Sequence, residues 1–327
     1  MFLNGSCRVP WKSSADIPKI GRSLNLSPIP RFIRGWSLSD VGAYRNSALL
    51  KSCGSALKSA GLLRIASGPL SLRGCTGNGS RLSGCLMALF DIPAEEAGPR
   101  TGTEDGCSFF RDRLVVFRSG GLSASLKAGD NGEYHNHNDL GHFSVWYKDM
   151  PLVIDVGADV YTRKYFSDER YTLWNTRGKG HNAPVFDGLE QQEGKQYSAT
   201  LSLEPGSEKV AVCDLSRSYP KQAGVIGFTR TMRFASDRVS VEDRFQLRQA
   251  RKTRIHLLCA IPPRIDGRRI LFGEVALELE NLECVSQRKV NTPKAWSAIL
   301  PDCSITELVL EATAEQYRMG FSAPEKK

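Results

Sequence analysis

From about residue 109 to the C-terminus, apolar and polar residues alternate in short runs closed by turn signals. RLVVFRS (113–119) and GLSASLKAG (121–129) come first, and GHFSVWYKDMPLVIDVG (141–157) follows. In the last of these, Phe143, Val145 and Tyr147 fall on one side of an extended chain and Ser144, Trp146 and Lys148 on the other, because successive side chains of a strand point to opposite faces. Lys148-Asp149-Met150-Pro151 reads as a turn and LVIDV as the returning strand. The same period of two recurs in ATLSLE, KVAVCDL, GFTRTMRFA, RVSVEDRFQL, RIHLLCAI, LFGEVALELENLECVS and ITELVLEATAE. Short strands joined by short turns, with no helix of crossover length between them, predict a mainly β fold: a large antiparallel β-sandwich.

The first third reads differently. Residues 1–38 are rich in Pro, Arg, Ser and Gly and hold no period. A helix is predicted over 40–59, with Val41, Tyr44, Ala48, Leu49, Ala56 and Leu57 apolar and Ser39 or Asp40 as its cap. LSGCLMALF (82–90) is a second helical candidate between Gly/Ser-rich and polar stretches. The expected division is therefore a short helical, irregular stub over 1–105 and a sandwich over 106–327.

Composition narrows the function classes. Of the 327 residues 41% are hydrophobic, which excludes long disorder, and no run approaches the roughly 18 apolar residues of a membrane helix. The opening MFLNGSCRVPWKSS has no apolar core of a secretory signal, so the chain as it begins is expected in the cytoplasm. Lysine and arginine exceed aspartate and glutamate by 44 to 35, a net charge of +9 spread along the chain. No zinc-finger spacing or phosphate-binding glycine loop accompanies it, so nucleic acid is not the expected partner, whereas an acidic polysaccharide suits the charge. The nine cysteines include no CxxC pair and an odd thiol, so no thiolate metal site is expected.

Histidine is scarce, and four of the five lie between 135 and 181. His135 and His137 would share one face of an extended strand, with Asp139 on the same parity if the strand persists. Asp155 interrupts the apolar LVIDV, and a carboxylate there needs a cation or metal as partner. His181 follows the turn GKG. Two imidazoles and a carboxylate from three segments form a plausible tetrahedral zinc site; the alternative is a set of separate surface groups. His142 is read as a supporting residue, and His256, in RIHLLCAI, as a strand residue without chemistry.

At this point EYHNHNDLGHF (133–143), PLVIDVG (151–157), VYTRKYFSDERYTLW (160–174) and GHNAPVFDG (180–188) resemble the heparinase II/III-like family of polysaccharide lyases. The resemblance implies a C-terminal antiparallel sandwich joined to an incomplete helical toroid, of which the first 105 residues would be a truncated remnant. It implies zinc held by His137, Asp155 and His181, and His135 in the catalytic cleft. It places the catalytic tyrosine on Tyr171, with Tyr161 and Tyr165 as alternatives. Asn136, Asn138 and Asn182 would hold the imidazoles in one tautomer or touch substrate, and Arg170 would stand beside Tyr171. The implied reaction is β-elimination on a uronate glycan such as heparin, heparan sulfate or alginate. A base takes the C5 proton, an acid protonates O4, and a phenol serving there needs its ordinary pKa of about 10 lowered. The implied location is the periplasm or cell envelope.

The family also places a histidine or asparagine and a second tyrosine on the toroid. No histidine precedes His135, so a homodimer or partner chain is expected to complete the site. Two other readings remain open: a non-catalytic, zinc-stabilised carbohydrate-binding sandwich, and a zinc-dependent glycan hydrolase.

Overall fold

The computed structural model describes residues 106–110, 112–133, 135–148, 150–206, 209–290 and 304–324. The helices expected at 40–59 and 82–90, and the rest of the 1–105 stub, lie outside them. Two nine-stranded antiparallel sheets face one another, their strands numbered in chain order. Sheet I runs β1 (Gly106–Phe110), β2 (Leu114–Ser119), β3 (Leu122–Lys127), β5 (Phe143–Tyr147), β6 (Met150–Val153), β12 (Thr253–Cys259), β17 (Thr306–Ala312) and β16 (Leu282–Lys289), with β7 (Pro184–Phe186) also on β12. Sheet II runs β13 (Arg264–Asp266), β14 (Arg269–Phe272), β15 (Val275–Glu280), β18 (Gln316–Ser322), β11 (Arg238–Leu247), β10 (Val225–Phe234), β9 (Val210–Arg217), β8 (Gly194–Leu203) and β4 (Gly129–Asn131). Among the described residues the helical turns are short 3-10 segments, and no helix is long and apolar enough to cross a membrane.

The alternating rows do the packing. Phe117, Leu122, Leu126, Phe143 and Val145 from sheet I meet Phe228, Met232, Val241, Met319 and Phe321 from sheet II in one core. Burying each such side chain contributes roughly 1.5–3 kcal/mol before chain entropy is set against it. A smaller cluster, Trp146, Ile154, Val156, Leu258, Ala260 and Ile305, forms separately. The hairpin predicted at 143–153 is present, with Lys148 at φ 51° in its turn.

One run needed correction. LFGEVALELENLECVS contains three strands in two sheets, because β14 and β15 belong to sheet II and β16 to sheet I. Asn281 makes the corner in the left-handed region, φ 56°, while its amide donates to the Gln316 carbonyl. Asparagine tolerates that backbone, and continuous alternation on both sides of it hides the change of sheet.

His256 lies in β12, with Nδ1 2.9 Å from Glu307 Oε1 on β17, while Arg288 on β16 donates to the other carboxylate oxygen. Burial pushes the Glu307 carboxyl up, but the hydrogen bonds from His256 and Arg288 outweigh it and hold it down at about 2. The folded chain therefore binds this proton less readily than the unfolded one. The resulting stabilisation is complete above the ordinary glutamate range and is lost as pH falls towards 2. Glu307→Gln is expected to lower stability by about 2–3 kcal/mol near neutrality. Urea midpoints from pH 7 to pH 3 check it: the gap from wild type should hold down to about pH 5 and narrow below it.

Candidate metal centre

The site forms from three segments that each border a strand of sheet I. The first joins β4 to β5 and carries His135 to His142. It is not a strand, so the expected parity of His135, His137 and Asp139 does not hold. His135 has φ 58° and is exposed, whereas His137 and Asp139 are buried. The second segment carries Asp155 two residues beyond the end of β6, and not within a strand as its apolar neighbours suggested. The third is a chain of 3-10 turns from Arg163 to Gly180, ending at His181. Gly180 is required in this chain of turns, because a Cβ there would stand 2.4 Å from the Trp174 carbonyl oxygen.

These segments bring His137, Asp155 and His181 together, all buried, with one ligand atom from each within 4.8 Å of the others. Neither ring nitrogen of His181 has a hydrogen-bond partner, although Nδ1 lies 3.3 Å from Asp155 Oδ1. Two imidazole nitrogens and a carboxylate oxygen suit zinc, and the unsatisfied nitrogens of a buried ring fit a metal ligand. Burial pushes the His181 pKa down, but the charge of Asp155 beside it outweighs this and raises it. Burial would raise that of Asp155; His181 and His142 together hold it well below the ordinary range.

Asp139 does not join this group; Lys127 holds it at 2.6 and 2.7 Å. Its pKa is lowered, since Lys127 and then His181 outweigh the effect of burial. His142 packs edge-on against the His181 ring, 5.7 Å between centroids. Its Nδ1 accepts from the Asn182 backbone N–H at 3.3 Å and its Nε2 lies 3.0 Å from Ser144 Oγ. That acceptor role requires Nδ1 unprotonated, in line with a pKa that burial lowers to about 4.

The side chains of the three asparagines bond elsewhere than the imidazoles. Asn182 donates to the Phe143 and Ile154 carbonyls and accepts from the Leu258 N–H, so its amide ties three backbone segments together. Asn138 donates to the Gln191 carbonyl, and Asn136 reaches the Asp130 carbonyl and Asn131 Oδ1. Arg170 is buried, with Nε and Nη2 both donating to the Asn136 carbonyl and Nη1 to that of Tyr165. It thereby grips the peptide between His135 and His137. Tyr171 is half-buried and its hydroxyl lies 3.5 Å from the same Asn136 oxygen. Tyr165 is buried, its hydroxyl accepting from the Asp159 N–H and the Asn175 amide, while Tyr161 is exposed.

Sequence reasoning missed one support. Arg230 on β10 is fully buried between the sheets. Its Nε and Nη2 donate to Asp243 on β11 at 2.7 and 2.6 Å, and Tyr317 on β18 donates to the same carboxylate. Its Nη1 donates to the carbonyls of Gly141 and Asn182 at 2.6 and 2.8 Å. The available signal was an arginine in the inward row Phe228, Arg230, Met232, Phe234.

The fold is shared with known lyases. The heparan sulfate lyase HepC from Pedobacter heparinus matches with TM-score 0.62 and 15% identity, over 92% of this chain and 46% of its own. A heparinase III with methylated lysines matches with TM-score 0.58 and 13% identity, over 89% and 43%. Another heparinase III matches with TM-score 0.53 and 11% identity, over 86% and 53%. The chain thus spans about half the length of these proteins. No curated protein sequence matches it. Residues 113–313 match the heparinase II/III-like C-terminal family model. With well over half its length inside that match, the chain belongs to the heparinase II/III-like family through this sandwich domain.

Proposed function

We propose that the chain carries the sandwich side of a polysaccharide lyase site that cleaves anionic, uronate-containing glycans by β-elimination. One observation carries the reading: the Tyr171 hydroxyl reaches the carbonyl of Asn136, which lies in the chain between the exposed His135 and His137 of the buried His137–Asp155–His181 cluster. His135 takes the proton from C5 of the uronate. The C5 electron pair forms the C4–C5 double bond, the bond from C4 to O4 breaks, and Tyr171 gives its phenolic proton to the departing O4. Arg170, whose guanidinium carbon stands 5.9 Å from the Tyr171 ring centroid, holds the Asn136 carbonyl that the Tyr171 hydroxyl approaches and that follows His135 in the chain.

Zinc held by His137, Asp155 and His181 would cross-link three segments and keep that peptide in register. Burial of all three ligands favours this role over the zinc-dependent hydrolase, which needs an open coordination position reached by substrate. The +9 charge suits heparan sulfate-like or alginate-like polymers, and the cell envelope is the compartment that goes with them. The stub over 1–105, with a second copy or partner chain, would supply the remaining groups of the cleft.

The test is to incubate the full chain, zinc-loaded, with heparan sulfate, chondroitin sulfate and alginate and follow the ultraviolet absorbance of a C4–C5 unsaturated uronate. Its appearance with one polymer supports the reading. Saccharide binding without that product would leave the carbohydrate-binding sandwich in its place.

A further inference from the structure

Resting on the reading of His137, Asp155 and His181 as metal ligands, we infer that Arg230 is a positioning residue for that metal, acting from the opposite sheet. An arginine in the middle of an apolar sandwich needs a reason. A well-packed apolar side chain would stabilise such a position at least as well, so a retained buried ion pair points to a demand for registry. Here four of the five N–H donors are spoken for: two by Asp243 and two by loop carbonyls.

The two carbonyls lie on different ligand segments. Gly141 follows His137 in the first segment, and its neighbour His142 donates its backbone N–H to the Asp139 carbonyl. Asn182 follows His181 directly. One nitrogen, Nη1, holds both carbonyls, so the spacing of the two histidine segments is set by a single planar group. The third segment is attached through Asn182, whose amide donates at 3.0 Å to Ile154, the residue before Asp155. All three ligand segments are therefore tied to one guanidinium, directly or through one asparagine.

The hub is itself rigid. Arg230 and Asp243 are direct cross-strand partners, as are Asp243 and Tyr317, which anchors the carboxylate. Gly141 sits at φ 77°, and a Cβ there would meet Leu215 Cδ1 at 2.7 Å, so its carbonyl reaches Arg230 only because the residue is glycine.

The experiment measures the dissociation constant of Zn²⁺ for the full chain by competition with a chromophoric chelator, alongside the melting temperature of the zinc-free protein. Arg230→Lys keeps the charge but cannot hold Asp243 and both carbonyls at once. It is expected to weaken zinc binding by about 10–100-fold. Asp243→Asn, which keeps the volume and loosens the grip on Arg230, is expected to act in the same direction and decides the matter if Arg230→Lys fails to fold. Met232→Ala removes core volume on the same strand without touching either carbonyl. It should lower the melting temperature yet leave zinc affinity within about twofold. Affinity within about twofold of wild type in Asp243→Asn and any folded Arg230→Lys protein would overturn the inference, as would an equal loss in Met232→Ala. Failure of the wild-type chain to bind zinc would instead remove the metal reading, and this inference with it.

Discussion

Replacing Tyr171 by phenylalanine is expected to slow formation of the unsaturated product by about 10²–10⁴-fold, the usual reach of one positioned acid or base. The change removes one oxygen, which lies 3.5 Å from the Asn136 carbonyl, and keeps the ring beside Arg170. Stability should therefore stay within about 0.5 kcal/mol of wild type. His135 needs a different substitution, because it stands at φ 58°, where a side chain such as alanine is strained. His135→Asn suits that backbone and is expected to show a comparable loss of rate with the melting temperature preserved. Tyr165→Phe separates chemistry from architecture. Its hydroxyl accepts two internal hydrogen bonds, so that variant should lose stability first. Turnover at the wild-type rate in both Tyr171→Phe and His135→Asn would remove these residues from the reaction.

The strands were legible because the central core takes alternate side chains, so Phe143, Val145 and Tyr147 declare a shared face without knowing their partners. The corner at Asn281 was not, since alternation continues through it while the partner sheet changes. The ligand types were readable for a related reason: an aspartate after Leu152, Val153 and Ile154 signals a buried charge that needs an answer. How the groups meet was not readable. His135 and His137 are two residues apart, yet one is exposed and the other buried, because a left-handed residue breaks the parity an extended chain would impose. The supports are further from view still. Arg170 reaches the Asn136 carbonyl across 34 positions and Arg230 reaches that of Gly141 across 89. Backbone carbonyls carry no residue identity, so no pattern of side chains announces that two arginines will be devoted to them.

Stripping the metal is expected to lower the melting temperature by roughly 8–16 °C, and adding zinc back should restore it. A ligand that binds only the folded chain stabilises it by about 4 kcal/mol at a thousandfold excess over its dissociation constant. For a domain of this size each kcal/mol moves the midpoint by about 2–4 °C. The physical basis lies in what zinc would join. Without it Asp155 and His181, from two of the three segments, form a buried ion pair whose desolvation offsets much of its attraction. A divalent cation would meet the carboxylate and use ring nitrogens of His181 that otherwise lack a hydrogen-bond partner. Asp155→Ala takes away one ligand together with the acceptor for the Gly157 N–H. It should melt lower than the stripped wild type and gain nothing from added zinc. Glu307→Gln, which changes the carboxylate held by His256 and Arg288 and leaves the three ligands in place, should be weakened yet keep the full response to zinc. Scanning calorimetry of the three proteins, with chelator and then with zinc, reads all of this in one series. A wild-type midpoint that moves by less than about 2 °C on chelation would sink the metal assignment.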